Sequence, residues 1–122
     1  MEDTSNSRER AFAVARLLDD HKGEDTVLLD LAGVSTLADY FVITTARSSA
    51  HISGLLKELS RFFPQSGLRP LNRHKGVSDK GWLLVDCGDI IIHLMEKEQR
   101  QFYELERLWF RAERIPYSSK SS

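Results

Sequence analysis

One fifteen-residue stretch of the chain concentrates the side chains that could carry out chemistry. Residues 81–95 read GWLLVDCGDIIIHLM. Its polar and aromatic members are Trp82, Asp86, Cys87, Asp89 and His93. Carboxylate, thiolate and imidazole groups are common zinc ligands, and carboxylates and imidazoles are common general acids and bases. The stretch is therefore a candidate metal or catalytic site, provided that the fold brings these side chains to one side.

The spacing of this stretch predicts a β-hairpin that separates the candidate side chains. Gly88-Asp89 is a two-residue turn signal with glycine first, which pairs Cys87 with Ile90 across the two strands. Side chains alternate between the faces of a strand. The face predicted to meet the core holds Leu83, Val85 and Cys87. The opposite face holds Trp82, Leu84, Asp86, His93 and Met95. A cysteine and a histidine on opposite faces cannot share a metal, so Cys87 is interpreted as a small buried hydrophobe.

Asp86 and His93 are diagonal neighbours on the second face of this hairpin and are close enough to hydrogen-bond. Such a pair can be structural, or it can be catalytic if a nucleophile or a second acid lies nearby, and the hairpin supplies neither. Trp82 is open to two interpretations as well. It is either a half-buried residue at the start of a strand or an anchor in an interface.

The strand-to-helix turn TTARSSAH, residues 44–51, is a second candidate site. Hydroxyl groups and free backbone N–H groups at a helix N-terminus suit an anion. The stretch contains no glycine-rich phosphate-binding motif, and capping of the helix is the favoured role of Ser48 and Ser49.

Hydrophobic periodicity and turn residues predict an α/β protein with a single mixed β-sheet of about five strands and helices packed on it. The predicted order is α-β-β-α-β-β-β-α. The predicted elements begin with a helix over 5–21 that ends at Gly23, strands over 26–31 and 40–45, and a helix from Ser48 or Ser49 that stops at Pro64 and Gly67. A short strand over 68–72 follows, where Pro70 suits a sheet edge or a bulge. The hairpin comes next, and then a final helix from Glu96 or Lys97 with Phe102, Leu105, Leu108 and Trp109 on its buried face.

Composition narrows the class of protein. The chain has 122 residues, 17 Lys and Arg against 18 Asp and Glu, and one cysteine. We expect one domain over 1–114 and a flexible C-terminal tail over 115–122. A net charge of −1 argues against gripping nucleic acid through phosphates. A single cysteine fits a reducing cytosol, and neither a membrane span nor a secretory signal is expected, so the predicted location is cytoplasmic.

Three segments together resemble the ribosomal silencing factor family, also known as Iojap-like proteins. They are DYFVITTARSSAH (39–51), GWLLVDCGDIIIHLM (81–95) and RQFYELERLW (100–109), and the resemblance covers roughly residues 8–110. It implies a small domain with a fold similar to nucleotidyltransferases, without their carboxylate pair, without a cofactor and without enzymatic activity. It further implies docking on large-subunit ribosomal protein fourteen, which blocks joining of the small subunit. Translation would then be repressed under nutrient limitation, or the large subunit held apart during its assembly.

The resemblance also implies which residues bind the partner. Motif by motif they are Asp39, Tyr40, Ser48, His51, Trp82, Asp86 and His93, with Lys80 and Met95 as neighbours of Trp82. The chain departs from the family where Lys75 replaces a usual glutamate, which removes one acidic contact to a basic partner. A homodimer is an option for the free protein, and little or no direct binding of nucleic acid is expected. The alternative is a nucleotidyltransferase-like enzyme or nucleotide-binding protein that uses TTARSS as its nucleotide loop, although that chemistry needs carboxylates around Mg²⁺.

Overall fold

A computed structural model describes residues 4–31, 33–34, 36, 38–71, 81–103 and 113–115. The elements in chain order are α1 Thr4–Asp20, β1 Glu24–Asp30, β2 Tyr40–Ala46, α2 Ser49–Ser66, β3 Trp82–Asp86, β4 Ile90–Glu96, α3 Lys97–Tyr103 and β5 Glu113–Arg114. They form one sheet with the strand order β3-β4-β2-β1-β5. Only the central β2–β4 pair is parallel, and the other pairs are antiparallel. The predicted α/β class and single mixed sheet are confirmed.

The central strand β2 is covered on both sides of the sheet. All seven of its residues, YFVITTA, are buried, as expected for an apolar run in a central strand with a parallel neighbour. Helices α1 and α2 pack on one face, where Val42 and Ile92 join a large apolar cluster. The opposite face carries a smaller cluster that includes Phe41, Ile43 and Met95. Within the described residues, no helix is both long and apolar enough to cross a membrane.

Helix α2 follows directly from its sequence. Ser48 is the N-cap, and its hydroxyl accepts the N–H of His51 at 3.1 Å. Gly67 ends the helix in the left-handed conformation, with φ of 86°. The buried stripe is Ile52, Leu55, Leu59 and Phe63. These features were predicted, but the stop at Pro64 was wrong. Pro64 is exposed in the last turn, where its missing N–H removes one hydrogen bond and the helix runs on to Ser66.

The end of α1 differs from the prediction in its details. Lys22, and not Gly23, takes the left-handed conformation, with φ of 74°. Gly23 is needed for another reason, because a Cβ there would lie 2.8 Å from the carbonyl oxygen of Leu18 and would also strike the hydroxyl of Thr44. The glycine therefore permits close packing between the end of α1 and β2.

The fifth strand of the sheet is not formed by the predicted segment. Residues 68–71 are not in a strand, and residue 72 lies outside the described residues. One backbone hydrogen bond, from Leu71 N–H to Asp86 C=O at 2.7 Å, holds this segment beside the end of β3. Pro70 lacks the N–H that a longer ladder would use. The fifth strand is instead the two-residue β5, which pairs with β1.

Ile115, the last residue that the structure describes, lies at the start of the predicted C-terminal tail. This residue is 4% exposed and donates its N–H to Leu28 C=O at 2.8 Å. The packed part of the chain therefore includes this residue. The predicted apolar residues Leu105, Leu108 and Trp109 lie outside the described residues, as does the side chain of Phe102.

We predict that Gly54→Ala stabilises the protein by about 0.5–1 kcal/mol, because glycine is a poor residue for an exposed helix interior. Gly54 lies in α2, is exposed, and a Cβ there would meet nothing within 4 Å. The free energy of unfolding in urea measures the change. The matched control, Gly23→Ala, should destabilise the protein because of the contact with Leu18. A lower stability of Gly54→Ala than of wild type would contradict the packing of α2.

Candidate functional site

The hairpin register is the predicted one. The paired residues are Trp82 with Met95, Leu83 with Leu94, Leu84 with His93, Val85 with Ile92, and Asp86 with Ile91. Gly88 has φ of 90°, and Cys87 N–H donates to Ile90 C=O at 2.9 Å, which closes the two-residue turn. Leu83, Val85 and Cys87 accordingly face the helices. We call the other three side chains of β3, those of Trp82, Leu84 and Asp86, the outer face of β3.

Cys87 is a buried thiol, as its position on the helical side of the hairpin predicted. Burial raises the pKa of Cys87 to about 12, mainly through desolvation of the thiolate. The negative charges of Asp86 and Asp89 raise it further. The group is therefore a protonated thiol at neutral pH, and a thiol is a poor nucleophile and metal ligand. Among the residues that the structure describes, no group of three or more His, Cys, Asp or Glu side chains is placed to hold a metal ion.

Trp82 and His93 form the most specific side-chain contact of the hairpin. The indole Nε1–H of Trp82 donates to Nδ1 of His93 at 3.2 Å. The two ring centroids are 5.9 Å apart and the planes are tilted by 43°. On its other side, His93 meets the ring of Phe41 edge-on at a centroid distance of 4.7 Å. The imidazole is thus held between an aromatic residue of the core and a half-buried tryptophan of the outer face of β3.

His93 is neutral at physiological pH. It is only 3% exposed, and desolvation by burial lowers the pKa of His93 to about 4. Because Nδ1 accepts the indole N–H, the ring proton must be on Nε2. Within the described part of the chain, Nε2 has no hydrogen-bond partner. A buried donor of this kind typically costs about 1–3 kcal/mol of stability.

The predicted hydrogen bond between Asp86 and His93 is not formed. Asp86 Oδ1 accepts the N–H of Gly88 at 2.8 Å, two residues ahead, as in an Asx turn. The carboxylate therefore helps to hold the hairpin turn, and the imidazole is oriented by Trp82 instead. The sequence placed the two residues on the right face, but it could not show that each has a closer partner.

The predicted partner-binding residues differ in their exposure. Asp39 and Ser48 are exposed, and His51, Trp82 and Asp86 are partly buried. Three are buried: Tyr40 at 3%, His93 at 3% and Met95 at 0% exposure. Lys80 lies outside the described residues. Burial, reinforced by the charge of Asp30, raises the pKa of Tyr40, whose ring packs in the cluster under α1.

These residues are also divided between the two ends of the sheet. Asp39 precedes β2, and Tyr40 pairs with Ile90 close to the Gly88-Asp89 turn. Ser48 and His51 follow the other end of β2, where Thr45 pairs with Met95. A seven-residue strand spans about 20 Å, so the two groups do not form one compact site.

The start of α2 is occupied by side chains of the protein itself. Ser49 Oγ donates to the carboxylate of Glu96 at 3.2 Å. His51 accepts the N–H of Arg47 on Nδ1 at 3.0 Å and bonds the carbonyl of His21 through Nε2 at 2.9 Å. The carboxylate of Glu96 therefore lies at the N-terminus of α2, the position that would otherwise favour an anionic ligand.

Two relevant residues were not selected from the sequence. The sequence pattern assigns Glu96 only to the start of the final helix, although its place at the end of β4 sets it beside the start of α2. The other is Leu84. Among the described residues, the exposed large hydrophobic side chains are those of Leu71, 66% exposed, and Leu84, 38% exposed. The alternation along β3 already assigned Leu84 to the same face as Trp82.

Comparison with known proteins identifies relatives of the whole domain. Residues 4–122 match a family model described as "Ribosomal silencing factor during starvation". The chain is 34% identical over 95 residues to the ribosomal silencing factor RsfS of Bacillus subtilis. This alignment covers 78% of this chain and 80% of that protein. It is 33% identical over 95 residues to the mouse "Mitochondrial assembly of ribosomal large subunit protein 1", with 76% of this chain and 42% of that protein covered. A crystal structure of a Bacillus halodurans protein superposes with a TM-score of 0.73 and 28% identity, covering 89% of this chain and 98% of that one.

We predict that His93 makes the protein less stable as the pH falls from 6.5 to 4. The folded protein keeps His93 neutral down to a pKa of about 4, whereas the unfolded chain takes up the proton near the ordinary histidine pKa of 6.5. The unfolded state therefore binds more protons between these values, and stability decreases with acidification by up to roughly 3 kcal/mol.

The measurement for this prediction is urea unfolding of wild type and His93→Leu at pH 7 and pH 4.5. The two proteins share all their other ionisable groups, so the difference between the two pH dependences reports His93. Wild type should lose more stability than the variant. Parallel pH dependences would show that His93 is not the buried neutral group described above.

Proposed function

The chain belongs to the ribosomal silencing factor family, and we propose that it binds the large ribosomal subunit through its protein fourteen and sterically prevents the small subunit from joining. Such binding represses translation, and the same binding assists maturation of the large subunit. The names of the relatives support both parts. The Bacillus subtilis relative is named a ribosomal silencing factor, and the mouse relative is named for assembly of the mitochondrial large subunit. The proposed location of the protein is the cytoplasm.

The outer face of β3 is the observation that carries the proposal. Trp82 presents part of a large apolar ring, Leu84 is 38% exposed beside it, and Asp86 supplies a charge at the end of the row. Aromatic anchors with polar groups around them are typical of the residues that dominate interface energies. When no ribosome is bound, the same face is proposed to pair with a second copy of the chain.

Charge favours a protein partner over ribosomal RNA. The net charge of the chain is −1, whereas binding through RNA phosphates requires clusters of Lys and Arg. Exposed Asp39 and partly buried Asp86 are suited to a basic protein surface. Direct contact with the partner is proposed for Trp82, Asp86, Asp39, Ser48 and His51. The buried residues Tyr40, His93 and Met95 would act through packing beneath that surface, and Lys80 remains a prediction of the resemblance.

We propose further that the protein is a binding factor and not an enzyme. A nucleotidyltransferase needs carboxylates that hold Mg²⁺ beside the nucleotide phosphates. At the start of α2, the carboxylate of Glu96 already accepts the Ser49 hydroxyl, and a negative charge there would repel a phosphate. Asp86 accepts the N–H of Gly88 in the hairpin turn, some distance along the sheet from that helix.

We predict that the protein sediments with free large subunits and not with small subunits or translating ribosomes. We further predict that Trp82→Ala weakens this binding by about 30-fold, or ~2 kcal/mol, as for an interface hot spot. Folding should change less, because Leu83 and Val85 keep the helical side of β3 packed. A matched control is Phe62→Ala, which removes a partly buried aromatic ring on the helical side of the sheet. Equal binding to small subunits contradicts the partner. Wild-type affinity of Trp82→Ala, with an unchanged unfolding midpoint, contradicts the docking surface.

A separate prediction tests the enzymatic alternative. Addition of ATP and Mg²⁺ should leave the thermal unfolding midpoint of the protein unchanged, because the carboxylate of Glu96 lies at the start of α2. No nucleotide incorporation should be detectable in wild type. The alternative would be favoured by a midpoint that rises and saturates with nucleotide, together with metal-dependent incorporation that Asp86→Asn abolishes.

A further inference from the structure

We propose that His93 is a positioning residue for docking: it does not touch the ribosomal partner, but fixes the plane of the Trp82 indole that does. This inference rests on the proposed docking role of the outer face of β3. It assigns to His93 a task different from the direct partner contact implied by the family resemblance.

The burial of His93 excludes a direct contact in this conformation. Its side chain is 3% exposed, and it sits among apolar residues of the smaller cluster, next to Phe41. Its neighbours on β3 are its cross-strand partner Leu84 and the ring of Trp82, and both of these side chains are more exposed than His93. A partner on the outer face of β3 would therefore meet these two side chains first.

The hydrogen bond to Trp82 gives His93 a specific effect on that face. A half-buried tryptophan can rotate about two side-chain torsions, and ordering a flexible side chain on binding reduces affinity. The bond of 3.2 Å from indole Nε1–H to Nδ1 constrains the rotation before the partner arrives. The edge-on contact with Phe41 in turn limits rotation of the imidazole, so that the acceptor atom has a fixed place.

Among the residues that the structure describes, the Nε2–H of His93 has no hydrogen-bond partner, which supports a functional reason for this histidine. A leucine at the same position would fill an apolar site without burying an unpartnered donor. Replacing a buried polar group by an apolar one of similar size can be neutral or stabilising. The histidine thus carries a stability penalty, and its bond to Trp82 is the described interaction that an aliphatic residue would lose.

Two substitutions of His93 separate positioning from packing. His93→Leu removes the acceptor and keeps the site apolar. His93→Asn places an amide oxygen near the position of Nδ1 and can still accept the indole N–H, although its smaller side chain packs less well. Trp82→Phe removes the indole donor while keeping a ring. Each full-length variant is measured for affinity to purified large subunits, for its thermal unfolding midpoint, and for the indole Nε1–H resonance of Trp82.

A positioning role predicts that His93→Leu and His93→Asn rank in opposite orders by affinity for the large subunit and by thermal stability. His93→Leu should bind about fivefold more weakly than wild type, the value of one net hydrogen bond, with an equal or higher unfolding midpoint. His93→Asn should bind within about twofold of wild type, since it keeps the bond, and should unfold at a lower temperature. The Trp82 indole resonance should shift in His93→Leu and stay near its wild-type position in His93→Asn. Trp82→Phe combined with His93→Leu should bind no more weakly than Trp82→Phe alone.

The outcomes distinguish this inference from the proposed function. Wild-type affinity of His93→Leu, while Trp82→Ala binds weakly, overturns the positioning role and leaves the docking surface intact. Affinities that follow the unfolding midpoints of the two His93 variants show a purely structural histidine and also overturn it. Wild-type affinity of Trp82→Ala overturns the docking surface and the inference together.

Discussion

The two-residue turn at Gly88-Asp89 is the constraint on which the arrangement of the site depends. It sets the register of β3 on β4, and a slip of one residue would exchange the helical and outer faces of β3. Asp89 also ties the turn to the rest of the protein. Its carbonyl accepts the backbone N–H groups of Asp39 and Tyr40 at 2.9 and 3.1 Å, and its carboxylate accepts the hydroxyl of Ser7 in α1. The hairpin is therefore held by its own turn, by the start of β2 and by the first helix.

The fixed register shifts the pKa values of two titratable groups of the hairpin, Cys87 and His93, in opposite directions. Cys87 is turned towards the helices, where burial raises its pKa and suppresses thiolate chemistry. His93 is turned to the other side, where burial lowers its pKa and keeps the ring a neutral acceptor for the indole of Trp82. Desolvation disfavours the charged form in both cases. The two pKa values shift in opposite directions because the thiol is an acid that becomes an anion and the imidazole is a base that becomes a cation. Two residues that suggest metal binding or catalysis in the sequence are thereby made uncharged parts of the packing.

Local signals predicted those parts of the fold that local interactions determine. The glycine-first turn fixed the pairing of Trp82 with Met95, and the apolar stripe and Ser48 cap predicted α2. The errors involve choices between distant partners. A strand is predicted around Leu71, yet the fifth strand comes from residues 113–114, which pair with β1. Alternation placed Asp86 and His93 on one face, but only the three-dimensional distances decide that the carboxylate bonds the turn and that the imidazole bonds the indole. Burial of Tyr40 under α1 likewise depends on helix docking, which the strand sequence does not encode.

The same distribution of hydrogen bonds explains why a binding surface is the better interpretation of this face than an active site. Catalysis needs polar groups that are positioned by the fold and still available to a substrate. Here the groups with suitable chemistry already have structural tasks: Asp86 holds the turn, Glu96 accepts a hydroxyl at the start of α2, and His93 accepts the indole N–H. The outer face of β3 instead presents to solvent the partly exposed ring of Trp82 with Leu84 beside it, on a strand of fixed register. A rigid apolar anchor is of little use for bond chemistry, but it lowers the entropy lost when a partner docks. In the proposed docking role, the polar residues of the hairpin contribute by making its apolar surface rigid.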